Sequence, residues 1–450
     1  MKGISSVWVS IRSSLWFVPT MMVGGSIVLA VVLVEADQRY RFQWAEAYPL
    51  LFGAGAAGSR GMLSTIAGSM ITVAGVTFSL TIAALVTASG QYTSRILRNF
   101  MRDRRNQLVL GSFVGIFSYC LVVLRTIRGG DETTFVPSLA VFAGLLLALG
   151  GIGVLVFFIH HIATSIQAST IIARITVETF KAMDRVYPAP QGAGGDAARD
   201  AGAVQGGARS IVESDSMGYV QGVETGAILA LAQELEATVS LEVLAGDFVA
   251  ESTPLMTVRA AKPLEERQLR AFRAAITVRE FRTIDQELGF GIRQLVDIAL
   301  KALSPGINDT TTAVMCIDHL GAVIARLAPR DMPTHMRSKD GRVRLATRGP
   351  RFEDFLDGAF DQVRGNLSRD GIAIAHLIRA IAATASRTLD PGRCARLAHH
   401  LELFAEHAHR EVTVEHDRAK LREEMRRAVD ALGGIAGDSC ARLEGPPARV

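Results

Sequence analysis

Thirty-three consecutive residues, Met62 to Ser94, contain no Asp, Glu, Lys, Arg or His. A helix needs about 20 such residues to cross the hydrocarbon core of a bilayer. In lipid its backbone groups must be paired internally, so the stretch is read as a membrane-spanning helix. Its small residues are ordered: Thr65, Gly68, Thr72, Gly75 and Ser79 recur at spacings of three, four, three and four. That spacing places them on one helical seam. A seam of small residues lets another helix come close, and its hydroxyls can bond across the contact. Ile66, Met70, Val73, Val76 and Leu80 form another face. Two readings stand: a tightly packed helix in a bundle, or a helix lining a pathway or substrate cleft. No charge within the span supports an intramembrane ion relay.

Three further apolar blocks accompany it. They run from Trp16 to Val34, from Leu108 to Leu124, and from Val136 to Ile159. Charged residues make up 20% of the chain and nearly all fall outside these blocks. A soluble domain rarely carries such runs, so four transmembrane helices are predicted. The first block is taken as an uncleaved span, because EADQRYRF after it offers no small-residue cleavage site.

The loop after the second block sets the orientation. Arg95, Arg98, Arg102, Arg104 and Arg105 stand there against Asp103 alone. Short basic loops stay on the cytoplasmic side, so both termini are expected inside. The same arginines can face anionic lipid headgroups, and with them the net charge of +4 needs no nucleic-acid partner. Cys120, Cys316, Cys394 and Cys440 form no C-x-x-C pair and are expected as free thiols.

The chain then divides by pattern. Residues 1–161 read as the four-helix membrane domain and 162–187 as a helical stalk. The Gly/Ala-rich stretch 188–209 reads as a flexible linker. Alternating Val239, Leu241 and Val243, a turn at Ala245 to Asp247, and Phe248 and Val249 mark 210–262 as a small β-rich subdomain. Its shape resembles a barrel-sandwich half of carrier domains, but no lysine stands at the hairpin tip to carry a cofactor. Residues 263–435 read as helical, with Leu269, Phe272 and Ile276 opening one helix and two long helices near 352–386 and 391–432. Residues 331–350 form a charged excursion and 436–450 a disordered tail. The fold class is therefore a four-span α-helical membrane protein followed by a cytoplasmic α+β region.

The densest polar set between apolar runs includes Arg279, Arg282, Asp285, Arg293, Asp297, Asn308 and Asp309. Arg293 and Asp297 are four apart, the spacing of a helix-face ion pair. The turn Ser304–Asp309 precedes a helix, where exposed amides can hold an anion or a capping side chain can satisfy them. The set is either a structural junction or a ligand site. A second set, His399, Glu402, Glu406 and His409, lies on one helical stripe. One helix cannot surround a metal ion with all four, so a solvated face is expected. No serine-hydrolase, zinc-protease, kinase or nucleotide signature occurs, and no enzyme, metal or cofactor is predicted.

Long motifs carry a family resemblance: SLWFVP, MLSTIAGSMITVAGVTFSLTIAAL, SGQYTSRILRNFMRDR, FFIHHIATSIQAS, GYVQGVE, and RTIDQELGFGIRQLVDIALKALSPGINDTTTAVMCIDHL. From residue 10 to residue 375 the chain resembles the DUF2254 family of bacterial membrane proteins. Members often read N-D-P-x-T-A where this chain has Asn308, Asp309, Thr310, Thr311, Thr312 and Ala313. The resemblance implies four inner-membrane spans and a soluble C-terminal region, and it supplies no activity. Two functions fit. One is a channel or transporter for a small ion or solute, controlled by its soluble region. Four spans are few for a transport path, so that reading implies a homo-oligomer. The other is a non-transporting membrane scaffold or ligand sensor.

Overall fold

A computed structural model describes residues 16–40, 55–91, 104–128, 135–187, 207–332, 335–337, 343–347, 349–367 and 370–433. Most of the basic loop, the first outer loop, most of the glycine-rich linker and the C-terminal tail lie outside the described residues. The chain divides into two compact units, Met1–Gln167 and Ala168–Val450.

The first unit holds four helices: α1 (Phe17–Tyr40), α2 (Ala56–Gln91), α3 (Arg104–Thr126) and α4 (Ser138–Ser165). Each contains an 18-residue window of mean hydropathy 2.0 or more, long and apolar enough to cross a membrane. The four-span expectation is met. Helix α2 has 36 residues. That is about 54 Å of helix against a hydrocarbon core of about 30 Å, so it tilts or outruns the core.

Helix α3 packs against all three others. Phe113, Tyr119, Cys120 and Val123 on it are fully buried. Its glycines permit a close crossing with α1. A Cβ on Gly111 would lie 2.6 Å from Met22 Sδ, and one on Gly115 would lie 2.7 Å from Ser26 Oγ. The small residues four apart thus serve backbone approach inside this bundle. From α2, Leu63, Ile66, Ala67, Met70 and Ala74 enter the core, joined there by Phe158 of α4.

One acidic side chain ties the first span to the last. Asp37 is buried and accepts the backbone N–H groups of Leu139 (3.3 Å) and Ala140 (3.1 Å). These are amides at the start of α4, which have no partner within their own helix. The helix N-terminus also favours a negative charge there. Tyr119 donates to the Ala140 carbonyl at 2.7 Å, so α3 meets the same turn.

The second unit opens with α5 (Ala168–Val186), after a break at Ile166–Gln167. The stretch expected as a stalk is amphipathic. Ile171, Ile172, Ile175, Thr179 and Met183 are buried, and α5 packs on α8 (Leu288–Leu303) and α9 (Thr310–Leu327). It belongs to the core of the second unit.

Two sheets follow. Strands β1 (Ala208–Glu213), β2 (Gly218–Val223), β3 (Thr238–Leu241), β4 (Phe248–Val249) and β5 (Pro254–Ala260) are joined by α6 (Thr225–Glu234) between β2 and β3. After α7 (Glu266–Arg273) come β6 (Ile276–Arg279) and, beyond α9, β7 (His335–Arg337) and β8 (Val343–Ala346). The five-stranded order is β1-β5-β3-β8-β7, and the three-stranded order is β4-β2-β6. Strand β3 pairs parallel to β8 and the other pairings are antiparallel. The turn at Ala245–Asp247 therefore joins two sheets instead of closing a hairpin. Ile276 is in a strand and not in the helix its spacing suggested, because β2 supplies its hydrogen bonds. The charged excursion contributes β7 and β8, and Leu345 is fully buried beside Val239, Met256 and Val258.

Helices α10 (Phe352–Asn366), α11 (Gly371–Ala385), α12 (Pro391–Glu411) and α13 (Glu415–Ala431) complete the unit. The two long helices read from sequence are each broken once. Asp370 caps α11, accepting from Ile372 N and Ala373 N at 3.0 and 3.1 Å. Val412–Val414 separates α12 from α13. Asp390 caps α12 through Arg393 N at 2.8 Å, with Pro391 in the first turn, where its missing N–H leaves nothing unsatisfied.

Candidate functional site

The seam of α2 faces away from its own bundle. Thr65, Gly68, Thr72, Gly75 and Ser79 are all exposed in the single chain. A Cβ on Gly68 or Gly75 would meet nothing within 4 Å. The threonine hydroxyls are satisfied locally: Thr65 donates to the Gly61 carbonyl and Thr72 to the Gly68 carbonyl, each at 2.8 Å. That lowers the penalty of a hydroxyl in an apolar setting and leaves its lone pairs free to accept. Of the other face, Ile66 and Met70 are buried inward, while Val76 and Leu80 are exposed. A seam on a lipid-facing side is built for contact with another helix or for lining a space between copies.

The polar set of the second unit resolves into separate groups of partners. Arg282 pairs with Glu287, its Nε donating at 3.1 Å, and its guanidinium lies 4.9 Å from the Phe290 ring centre. The contact with Glu287 keeps Arg282 charged, above its ordinary range, ahead of the burial that opposes it. Asp285 uses its backbone carbonyl to accept from Arg185 at 2.9 Å. Arg279 ends β6 and is exposed. Arg293 and Asp297 form the expected i,i+4 pair at 2.7 Å, and Arg293 also donates to Gln362 of α10 at 2.8 Å.

Asn308 and Asp309 shape the start of α9. Asn308 has φ +49, a left-handed conformation that Asn tolerates better than most residues. Asp309 accepts from Thr312 N at 3.0 Å and from the Thr312 hydroxyl at 2.6 Å. The hydroxyl first and the amide second hold its carboxyl below the usual range. The neighbouring Thr310 donates to Asp370 at 2.6 Å, joining the caps of α9 and α11. Asp309→Ala is expected to destabilise this unit by about 0.5–2 kcal/mol. Urea melts of a fragment starting at Ala168, so that α5 is kept, measure it. An unchanged midpoint would remove the structural role.

On α12, His399 and Glu406 are exposed, Glu402 is half-buried and His409 is turned partly inward. Among the described residues no three His, Cys, Asp or Glu side chains are grouped to hold a metal ion. The same helix buries His400 completely. Its Nε2 lies 2.8 Å from Asp357, which also accepts from Arg396 Nε at 3.1 Å. Burial holds the His400 pKa below its ordinary value, against the pull of Asp357.

Two groups escaped the sequence reading. Gly111 and Gly115 carry a readable small-x-x-x-small spacing. Asp184, Arg326 and Arg330 carry no local signal. Arg326 and Arg330 are about 140 residues from the aspartate they share, with contacts of 2.9 and 2.5 Å. Arg330 is buried and also donates to the Met183 and Tyr187 carbonyls, at 3.3 and 2.6 Å, closing the end of α5.

Comparison with known proteins agrees with this architecture and adds no activity. An uncharacterized protein of Mycobacterium bovis is 31% identical over 437 residues, covering 94% of this chain and 81% of its own length. One of Mycobacterium tuberculosis matches with the same identity and coverage. No solved structure matches the chain. The family model described as "Predicted membrane protein (DUF2254)" matches residues 12–383, a range that takes in all four spans, both sheets and the helices through most of α11. The chain is a multi-span membrane protein and belongs to the DUF2254 family.

Proposed function

We propose that this protein is an oligomeric channel or transporter of the bacterial inner membrane, and not an enzyme. Both termini lie in the cytoplasm, and the second unit controls passage of a small ion or solute. One observation carries the reading: the hydroxyl-and-glycine seam of α2 faces outward from its bundle with nothing above its glycines. Among the described residues the interior of that bundle is filled by Leu63, Met70, Phe113, Tyr119 and Phe158. A path between copies would be lined by the polar stripe that a lone chain turns toward lipid. The basic loop supports the orientation, and its arginines suit anionic headgroups.

A scaffold or sensor would use the same seam for packing alone, with the second unit as its ligand-binding part. Reconstitution separates the two. Purified protein is imaged for stoichiometry and placed in liposomes for flux across a panel of ions, voltages and solutes. Transport predicts a closed oligomer with measurable flux. An intact oligomer silent across the panel would sink the pathway and favour the scaffold.

A further inference from the structure

The second unit contains a cleft of about 750 Å³ where α5, α9 and α11 meet. Phe180 stands on one side, Arg326 and Arg330 come from the end of α9, and Ala383, Ser386 and Arg387 come from the end of α11. The volume falls within the range of about 300–1,000 Å³ that small-molecule sites occupy. Arg326 and Arg330 share one carboxylate, Asp184, and Arg387 brings a third guanidinium to the cleft.

The donors are not used up. Arg326 reaches both oxygens of Asp184 through a single nitrogen, Nη2, at 3.0 and 2.9 Å. Its guanidinium carbon lies over the Phe180 ring, 4.6 Å from the ring centre, a contact that holds the side chain at the cleft. Arg330 is anchored by two carbonyls and Asp184, so its charge is fixed in place. Arg387 is exposed, and its guanidinium has no partner among the described residues. Small apolar side chains complete the lining, a floor on which a flat or apolar group can rest.

We infer that this cleft binds a phosphate-bearing organic anion of nucleotide size. Arg387 and the spare donors of Arg326 receive the phosphate oxygens, as charge-assisted hydrogen bonds require. Arg330 adds fixed positive charge, and the organic part lies over the alanines. The inference deepens the reading of a soluble unit that controls passage, by naming the class of ligand that unit senses.

The test titrates full-length protein in detergent with ATP, glycerol 3-phosphate and adenosine by calorimetry. ATP is expected to saturate with a dissociation constant below about 1 mM, and adenosine is not. Arg387→Gln should weaken ATP at least about tenfold, since a bidentate charge-assisted contact is lost. It should leave the melting midpoint unchanged, because the side chain holds nothing in the fold. Ala383→Trp keeps every arginine and fills the cleft, and should abolish binding. Glycerol 3-phosphate binding as tightly as ATP, with the same dependence on Arg387, would keep the phosphate site and assign it to a lipid headgroup. Saturation by neither ester, or binding undiminished in both variants, overturns the proposal. Flux plays no part in this readout, so the failure of a transport path would be seen separately.

Discussion

Thr72→Val is expected to cut flux through reconstituted protein by at least about tenfold, equivalent to ~1.4 kcal/mol at the constriction. The oligomer should survive. Valine keeps nearly the shape of threonine, and the lost side-chain bond to the Gly68 carbonyl costs about 0.6 kcal/mol in a membrane helix. A hydroxyl that lines a path does more than pack. It replaces part of the hydration of the passing solute or keeps the constriction wet. Gly68→Leu is the paired control. Within a single chain a Cβ there touches nothing, so the monomer should fold. Between copies the larger side chain should block close approach and shift the particle size in detergent toward monomer. Wild-type flux retained in Thr72→Val would move the constriction off this seam. An oligomer retained in Gly68→Leu would move the contact between copies as well.

Gly291→Ala is expected to destabilise the second unit by about 2 kcal/mol, although alanine favours a helix by about 1 kcal/mol over glycine. Steric overlap decides the sign. A Cβ on Gly291 would lie 2.1 Å from Thr179 Oγ1 and 3.0 Å from its Cβ and Cγ2. Thr179 cannot swing away freely, being fully buried with its hydroxyl donating to the Ile175 carbonyl at 2.7 Å. Thr179→Ala removes Oγ1 and Cγ2, so the double variant should regain part of the loss. Denaturant midpoints of the wild type, both single variants and the double variant complete the cycle. A gain in stability from Gly291→Ala alone would show that α5 does not press on α8 as described.

The spans were legible because length without charge is a one-dimensional property. Met62–Ser94 needs no knowledge of its neighbours to be read as a helix in lipid. Asp309 was legible for a related reason, since a cap bonds to amides two or three residues away. Which face of α2 turns inward was not legible. The seam and the Ile66–Met70 face fit a helix interface equally well, and only the glycines of α4 decide between them, Gly144 making room for Leu63 and Gly151 for Met70. The sheets were legible as strands and not as partners. Strand β3 pairs with β8 across roughly a hundred residues, and nothing near Val239 announces Leu345. Ile276 followed the spacing of a helix because Leu269 and Phe272 precede it at suitable intervals. The strand beside it, and not its own neighbours, determined its conformation. The polar set at residues 279–309 looked like one cluster because its members are close in sequence. In space Arg282, Arg293 and Asp309 answer to different partners, whereas Asp184, Arg326 and Arg330, far apart in the chain, share one.

The link between Asp37 and α4 has a consequence for biogenesis. The carboxylate and the amides it binds are separated by 102 and 103 residues. At a synthesis rate of about 5–20 residues per second, the first span waits about 5–20 s before its partner exists. Over that interval an acidic group sits at the end of a newly inserted helix with no helix N-terminus to receive it. The first span is thus provisional when it enters the bilayer, and the arrival of the fourth fastens the first and last helices together in a single event.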